Sequence, residues 1–282
     1  MARSIPPSIA DVVEQLELEG APVVTVSLLQ SLLADAGKNL DDASKVAYEL
    51  KRAGWLGSLH TRGAWEFLPG SRAGAYSSGD RFIEFRAQLT VDPEWPGVLA
   101  MESAASALGL AQRIPEKEVV ALPPGTTLPK ALTSGWRSVA VPLPDVAVQR
   151  GAARGMASSR PGGTDLPTWT MEGLIAGIAI RPTSYRDVPG LAQWLAEAVV
   201  TVDVDRLKEV LIGAAAPVTA RQRAAFLLGA GGNDEACEEL VQWVRPRSVA
   251  WFGSRRNDGV FEPRSQVNDT VLHRYLDLGG GA

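Results

Sequence analysis

The spacing of apolar side chains between residues 9 and 69 switches from a helical to an alternating period, and that switch restricts the fold more than any other feature of the chain. Ile9, Val12, Val13 and Leu16 recur at i, i+3, i+4 and i+7, which gathers them on one face of an α-helix. Ser8 and Asp11 have the spacing of a capping box at its start, and Gly20 and Pro22 end it. Residues 23–26 read as a short strand that joins a later hairpin. Leu29, Leu32, Leu33 and Ala36 repeat the helical spacing, with Gly37 placed to terminate a second helix. The turn 37–40 leads into a third helix over 41–53, whose predicted buried side is Ala43, Val46, Leu50 and Ala53. Residues 55–60 and 64–68 then alternate like two strands, with Trp65 and Phe67 on one face. Thr61-Arg62-Gly63 joins them, and Gly63 suits the left-handed position of a three-residue hairpin loop. Helix, turn, helix and hairpin in this order predict a winged helix-turn-helix over residues 1–75.

The predicted third helix turns Ser44, Lys45, Tyr48 and Arg52 away from its apolar side, with Lys51 at the edge. Lys and Arg neutralise phosphates or donate to guanine edges, and Ser and Tyr hydroxyls hydrogen-bond phosphate or bases. Lys38 and Asn39, just before that helix, are candidates for gripping the DNA backbone, and Arg62 stands at the tip of the hairpin, where a wing meets phosphate or the minor groove. An isolated helix with such a face is ordinarily solvated surface, and it is the hairpin that favours DNA. From Lys38 to Arg72 six basic residues (Lys38, Lys45, Lys51, Arg52, Arg62, Arg72) oppose four acids (Asp41, Asp42, Glu49, Glu66), an excess of two. So small an excess predicts weak binding by one copy, and hence a dimer or several copies side by side on DNA.

The formal net charge of the 282-residue chain is −4, so any nucleic-acid surface is local. Its single cysteine, Cys237, excludes an internal disulfide and suits a reducing cytosol. The N-terminus lacks the apolar run of a signal peptide, and the longest strongly apolar stretch, residues 173–180, is far short of the ~20 a membrane helix needs. A cytoplasmic protein is the expectation.

Gly and Ser between residues 69 and 79 suggest a linker, which leaves a larger mixed α+β domain over 76–282. Helices are expected at 82–89 and 98–110 and strands at 118–122 and 137–141. Residues 150–163, with Arg150, Arg154 and Arg160 and no acid, read as a connector. From residue 166 the pattern is mainly helical, with Thr170 and Asp203 as caps, before strands at 248–253 and 261–267. The expected fold class is α+β.

Recognisable catalytic machinery is missing. His60, His273 and Cys237 do not make a metal-ligand spacing, and no nucleophile elbow, phosphate-binding loop or dinucleotide fingerprint occurs. No cofactor and no catalytic residue is expected. Gly253-Ser254 with Asp258 lacks the paired aspartates of a nucleotidyltransferase. An acid–lysine nuclease pair at 115–118 would need Asp92 or Glu102 as partner, neither on an obvious strand.

Several short segments carry a resemblance in their order and spacing: RAGWL (52–56) and GAWEF (63–67), ESAASALGL (102–110), LPPG (122–125), RPTSY (181–185), RAAFLL (223–228), WFG (251–253) and VNDTVL (267–272). Through them the chain resembles the AbiEi family, the antitoxins of type IV toxin–antitoxin pairs, in their actinobacterial form. The resemblance implies an N-terminal winged helix that binds inverted repeats in its own promoter, and a larger domain that counters a nucleotidyltransferase-like toxin. It assigns DNA contact to Ser44, Lys45, Tyr48, Lys51, Arg52 and Arg62. Arg221, Arg223, Arg255 and Arg256 are candidate contacts of the larger domain. The rival readings are a winged-helix repressor that senses a small ligand without a toxin partner, favoured by a deep apolar pocket, and a degenerate nuclease or transferase, favoured by clustered carboxylates.

Overall fold

The computed structural model describes residues 9–72, 77–111, 113–150, 165–255 and 258–276. Ser8 of the expected capping box, the basic stretch 151–163 and Arg256 lie outside them. The chain is a mixed α+β protein with several small sheets, and it divides into two compact units.

The first unit comprises Met1–Trp95 and Pro129–Ser134. Helix α1 (Ala10–Glu19) buries Val12, Val13 and Leu16 and ends on left-handed Gly20. Strand β1 (Val23–Thr25) leads into α2 (Val26–Asp35), which is capped by the Thr25 hydroxyl accepting from the Leu28 amide at 3.2 Å. After a 3-10 turn at Leu40–Asp42 comes α3 (Ala43–Arg52), then β2 (Leu56–Ser58) and β3 (Ala64–Phe67). The sheet order is β1-β3-β2, antiparallel throughout, so the residues before α2 pair with the second strand of the hairpin.

Both helices of the central pair stop in the same way. Gly37 (φ +64) donates to the Ala34 carbonyl and Lys38 to that of Leu33; Gly54 (φ +82) donates to Lys51 and Trp55 to Leu50. Each is a Schellman turn, which requires a left-handed residue that glycine supplies without steric cost. Leu29, Leu32 and Leu33 of α2 join Val46 and Leu50 of α3, Leu16 of α1 and Phe67 of β3 in one core. Ala36, expected on the buried stripe, is exposed because it is the terminal cap, and Ala47 is buried where Ala53 is only half-buried.

Val23 and Val24 are both buried although neighbouring strand residues face opposite ways. Val24 packs with α1–α3, whereas Val23 joins Ala64 and Ala87 on the other face. That second face is covered by α4 (Ile83–Val91). The two described ends of the expected linker are tied down: Gly70 donates to Glu17 at 2.7 Å, and the Ser78 amide donates to buried Glu66. The compact unit therefore runs on to Trp95, past the boundary expected at 75.

The second unit comprises Pro96–Leu128 and Gly135–Ala282. Strand β4 (Val98–Leu99), helix α5 (Met101–Ala107), β5 (Glu118–Ala121), β6 (Trp136–Val139), β7 (Val148–Gln149) and β8 (Thr168–Trp169) build a mixed sheet of order β6-β5-β4-β8-β7. The helix expected from residue 98 starts only at Met101, because Val98 and Leu99 pair with β5 and β8. A helical layer follows: α6 (Met171–Ile180), capped by Thr170, α7 (Val188–Val199), α8 (Val204–Gly213), capped by Asp203, α9 (Val218–Ala230) and α10 (Asp234–Val244). Strands β9 (Ala250–Phe252), β10 (Val260–Glu262) and β11 (Val267–Asp269) form a third sheet, and α11 (His273–Leu276) follows it. Among the described residues no helix is long and apolar enough to cross a membrane.

The short segments singled out in the sequence do structural work here. Arg223 donates from Nε to the Trp251 carbonyl at 2.6 Å and from Nη1 to that of Ala179 at 3.1 Å, joining α9 to β9 and to α6. Burial, with Arg255 as a nearby like charge, lowers its pKa. Asp269, 2% exposed, accepts the backbone amides of Val271, Leu272 and His273 and so starts α11.

Candidate nucleic-acid interface

The amphipathic division of α3 decides which side chains are available. Ala43, Val46, Ala47 and Leu50 face the core, and Ser44, Lys45, Tyr48, Lys51 and Arg52 are exposed, Tyr48 by 66%. A tyrosine left that open on a helix whose other face is packed gains little from the core, and among the described residues its ring and hydroxyl have no partner. Lys45, Lys51 and Arg52 have no ion-pair partner among the described residues, so their charge is not spent internally.

The two residues before the 3-10 turn are engaged locally. Lys38 pairs with Asp11 at 3.2 Å, which fastens the turn to α1. The Asn39 side-chain oxygen accepts the Asp41 amide at 3.1 Å and caps the 3-10 turn. Both remain at the surface, but each has a structural partner. Asp41 and Asp42 are exposed beside them. Glu66, which enters the sequence count as an opposing acid, is only 4% exposed and points to the Ser78 amide.

The hairpin tip is held from a direction the sequence does not suggest. Glu84 of α4 accepts the His60 amide at 2.7 Å through Oε1. Through Oε2 it accepts the Thr61 amide at 3.3 Å and the Thr61 hydroxyl at 3.2 Å. His60 Nδ1 lies 2.9 Å from the same carboxylate. Thr61 is 5% exposed, Gly63 takes φ +77, and Arg62 between them is exposed with no partner among the described residues. One carboxylate thus fixes the backbone on which Arg62 stands. The signal for Glu84 is absent from local patterning, since it lies 24 residues from His60 on a helix expected to belong to the next domain.

Among the described residues no three His, Cys, Asp or Glu side chains come together where a metal ion could be held. Of the acid–lysine set considered in the sequence, Glu102, Glu116 and Lys117 line one cavity of the second unit, but Glu102 is 3% exposed and paired with Arg137 at 2.7 Å. Arg221 lies over the Trp243 ring, 4.9 Å from its centroid, and Arg223 is bound to carbonyls, so neither is spare surface charge.

The crystal structure of the RV2827C protein from Mycobacterium tuberculosis matches the chain with a TM-score of 0.78 and 30% sequence identity, over 99% of this chain and 97% of that one. The chain belongs to the RV2827C family. The match with RV2827C spans both compact units, so the fold is shared as a whole. The RV2827C name specifies no activity. No protein-family model matches the chain, and no curated protein does.

Proposed function

We propose that the first unit is a winged helix-turn-helix that binds duplex DNA, with α3 as the recognition helix and the β2–β3 hairpin as the wing. The observation that carries this reading is the pairing of an unspent cationic face on α3 with an arginine whose loop is clamped by Glu84. In this reading Lys45, Lys51, Arg52 and Arg62 neutralise phosphates, while Ser44 and Tyr48 meet phosphate or base edges. Lys38 and Asn39 add backbone contact at the edge of the face. With so few cations per copy, two copies on an inverted repeat, or a row of copies, supply the affinity that one lacks.

The resemblance to AbiEi antitoxins supplies the biological frame. The protein represses its own promoter in the cytoplasm and, without enzymatic activity of its own, counters a nucleotidyltransferase-like toxin encoded beside it. A gel-shift experiment with the DNA upstream of its own gene tests the first half. A shift is expected at low salt with micromolar protein, and its absence contradicts the reading. The double substitution Lys45→Glu with Arg52→Glu is expected to abolish the shift with the circular-dichroism melt unchanged. Co-expression with the neighbouring transferase gene tests the second half, with rescue of growth as the expected result.

A further inference from the structure

We propose that the second unit binds a small phosphate-bearing organic molecule in the cavity between the 113–117 segment, β6 and the start of α7. The cavity has a volume of about 200 Å³ and is lined by Arg113, Lys117, Arg137 and Arg186, with Glu102, Glu116 and Asp187 as its acids. Its lining belongs wholly to the second unit and α3 and the wing to the first, and the proposal does not depend on the DNA reading.

Arg137 stands at the base of the cavity's basic wall. Its side chain is 15% exposed, and a single nitrogen, Nη2, donates both to Glu102 and to the Ser184 carbonyl, each at 2.7 Å. Its Nε and Nη1 donate to no described residue, so part of a planar donor fork is left over at the cavity wall. Burial lowers its pKa, Glu102 opposes that, and Arg186 adds to the lowering as a like charge close by. A fold that only needed to neutralise Glu102 has no use for a second guanidinium beside the first.

The acids of the cavity are largely spent. Both Glu102 oxygens are taken, one by Arg137 and the other by the Arg186 amide at 2.5 Å. Glu102 is brought there by Met101, whose φ of +49° is a strained value for a non-glycine residue at the strand-to-helix turn. Asp187 caps α7 through the Gly190 amide at 3.3 Å and lies 3.7 Å from Arg113. Among the described residues, that leaves Lys117, Arg186 and the rest of the Arg137 fork facing Glu116 as the one acid of the cavity not otherwise engaged. A single carboxylate would satisfy one guanidinium. A phosphate offers three acceptor oxygens and up to two charges, which suits a fork flanked by two further cations.

A second cavity of about 590 Å³ adjoins the first, since Ala111, Arg113 and Asp187 line both. Its wall mixes Leu110, Pro189 and Trp194 with Gln193 and Glu197, apolar and hydrogen-bonding surface for the body of a polar organic molecule beside a basic pocket for its head.

Isothermal titration of the full-length chain in low salt tests this, with AMP as the probe and adenosine, inorganic phosphate, benzoate and a DNA duplex lacking inverted repeats as comparisons. AMP is expected to saturate one site per chain, with adenosine and benzoate weaker by about tenfold or more, the loss expected for a charge-assisted contact. Lys117→Ala with Arg186→Ala, both at exposed positions, is expected to weaken AMP by at least about tenfold without changing the melt. Arg137→Lys, which keeps the partner charge for Glu102 but loses the fork, gives a second readout in the same direction. The proposal is overturned by no AMP binding at millimolar concentration, by equal binding of adenosine or benzoate, by binding indifferent to Lys117 and Arg186, or by a site that takes only the duplex through those residues.

Discussion

Glu84→Ala is the substitution whose consequences are best determined by the geometry. The carboxylate receives the His60 and Thr61 amides and the Thr61 hydroxyl, with His60 Nδ1 as a fourth contact. The His60 groups can be rehydrated, because its side chain is 72% exposed. The Thr61 groups cannot be rehydrated easily at 5% exposure. Leaving one buried donor without a partner costs about 1–3 kcal/mol, so two at Thr61, partly relieved by water entering the space of the lost side chain, give about 2–4 kcal/mol for opening the loop. At 1.4 kcal/mol per tenfold, this corresponds to roughly 30- to 700-fold faster amide exchange at His60, Thr61 and their neighbours. Hydrogen exchange read by mass spectrometry on the intact chain measures it, with Glu94→Ala, at an exposed position on the same unit, as the control expected to change little. DNA affinity should fall in parallel, because Arg62 loses its fixed base. Unchanged protection across residues 59–64 in Glu84→Ala refutes the idea that this carboxylate holds the tip.

Two further predictions concern the second unit. Burial alone would raise the Glu262 carboxyl, but hydrogen bonds from Ser265 and Arg264 outweigh it and hold the pKa below its usual value. A depressed carboxylate stabilises the fold above its unfolded pKa of about 4.3 and loses that contribution as pH falls through the folded value. The melting temperature of Glu262→Gln should therefore lie below wild type near neutrality, with the gap closing as pH falls below about 4; a gap independent of pH contradicts this. Gly177 in α6 has no room for a side chain, since a Cβ there would lie 2.4 Å from Cζ3 of buried Trp169. Overpacking of about 2–3 kcal/mol less the roughly 1 kcal/mol gained in helix propensity predicts a net loss of about 1–2 kcal/mol for Gly177→Ala, seen as a lower thermal midpoint. An unchanged or raised midpoint contradicts it.

Much of the first unit was legible because its helices are short, amphipathic and punctuated. Leu29, Leu32 and Leu33 and then Val46 and Leu50 mark buried stripes by spacing alone, and Gly37 marks a helix end. Gly54 terminates α3 by the same Schellman geometry, but a glycine between a helix and a tryptophan-led strand is easily read as part of the hairpin. The exposed face of α3 follows from the same periodicity. What local pattern cannot show is partnership across the chain: Lys38 with Asp11, Glu66 with Ser78, and above all Glu84 with the hairpin loop. The domain edge is misleading for a related reason. Gly and Ser near residue 75 resemble a linker, whereas the buried neighbours Val23 and Val24 require a cover on both faces of the small sheet, and α4 is that cover. Strand β4 is two residues long, too short for alternation to reveal it ahead of a helix.

The salt dependence of binding to the upstream DNA tests most directly the proposal that α3 and the wing enter a duplex together. Among the described residues, Lys45, Lys51, Arg52 and Arg62 are the cations of that surface with no ion-pair partner, four per copy. At about −0.9 per phosphate neutralised, the slope of log K against log salt should be near −3.6 for one copy and about −7 for two. Arg62→Ala should reduce its magnitude by about one for each bound copy. A slope close to zero, or one that Arg62→Ala and Lys45→Glu leave unchanged, would place the DNA contact elsewhere and contradict the account.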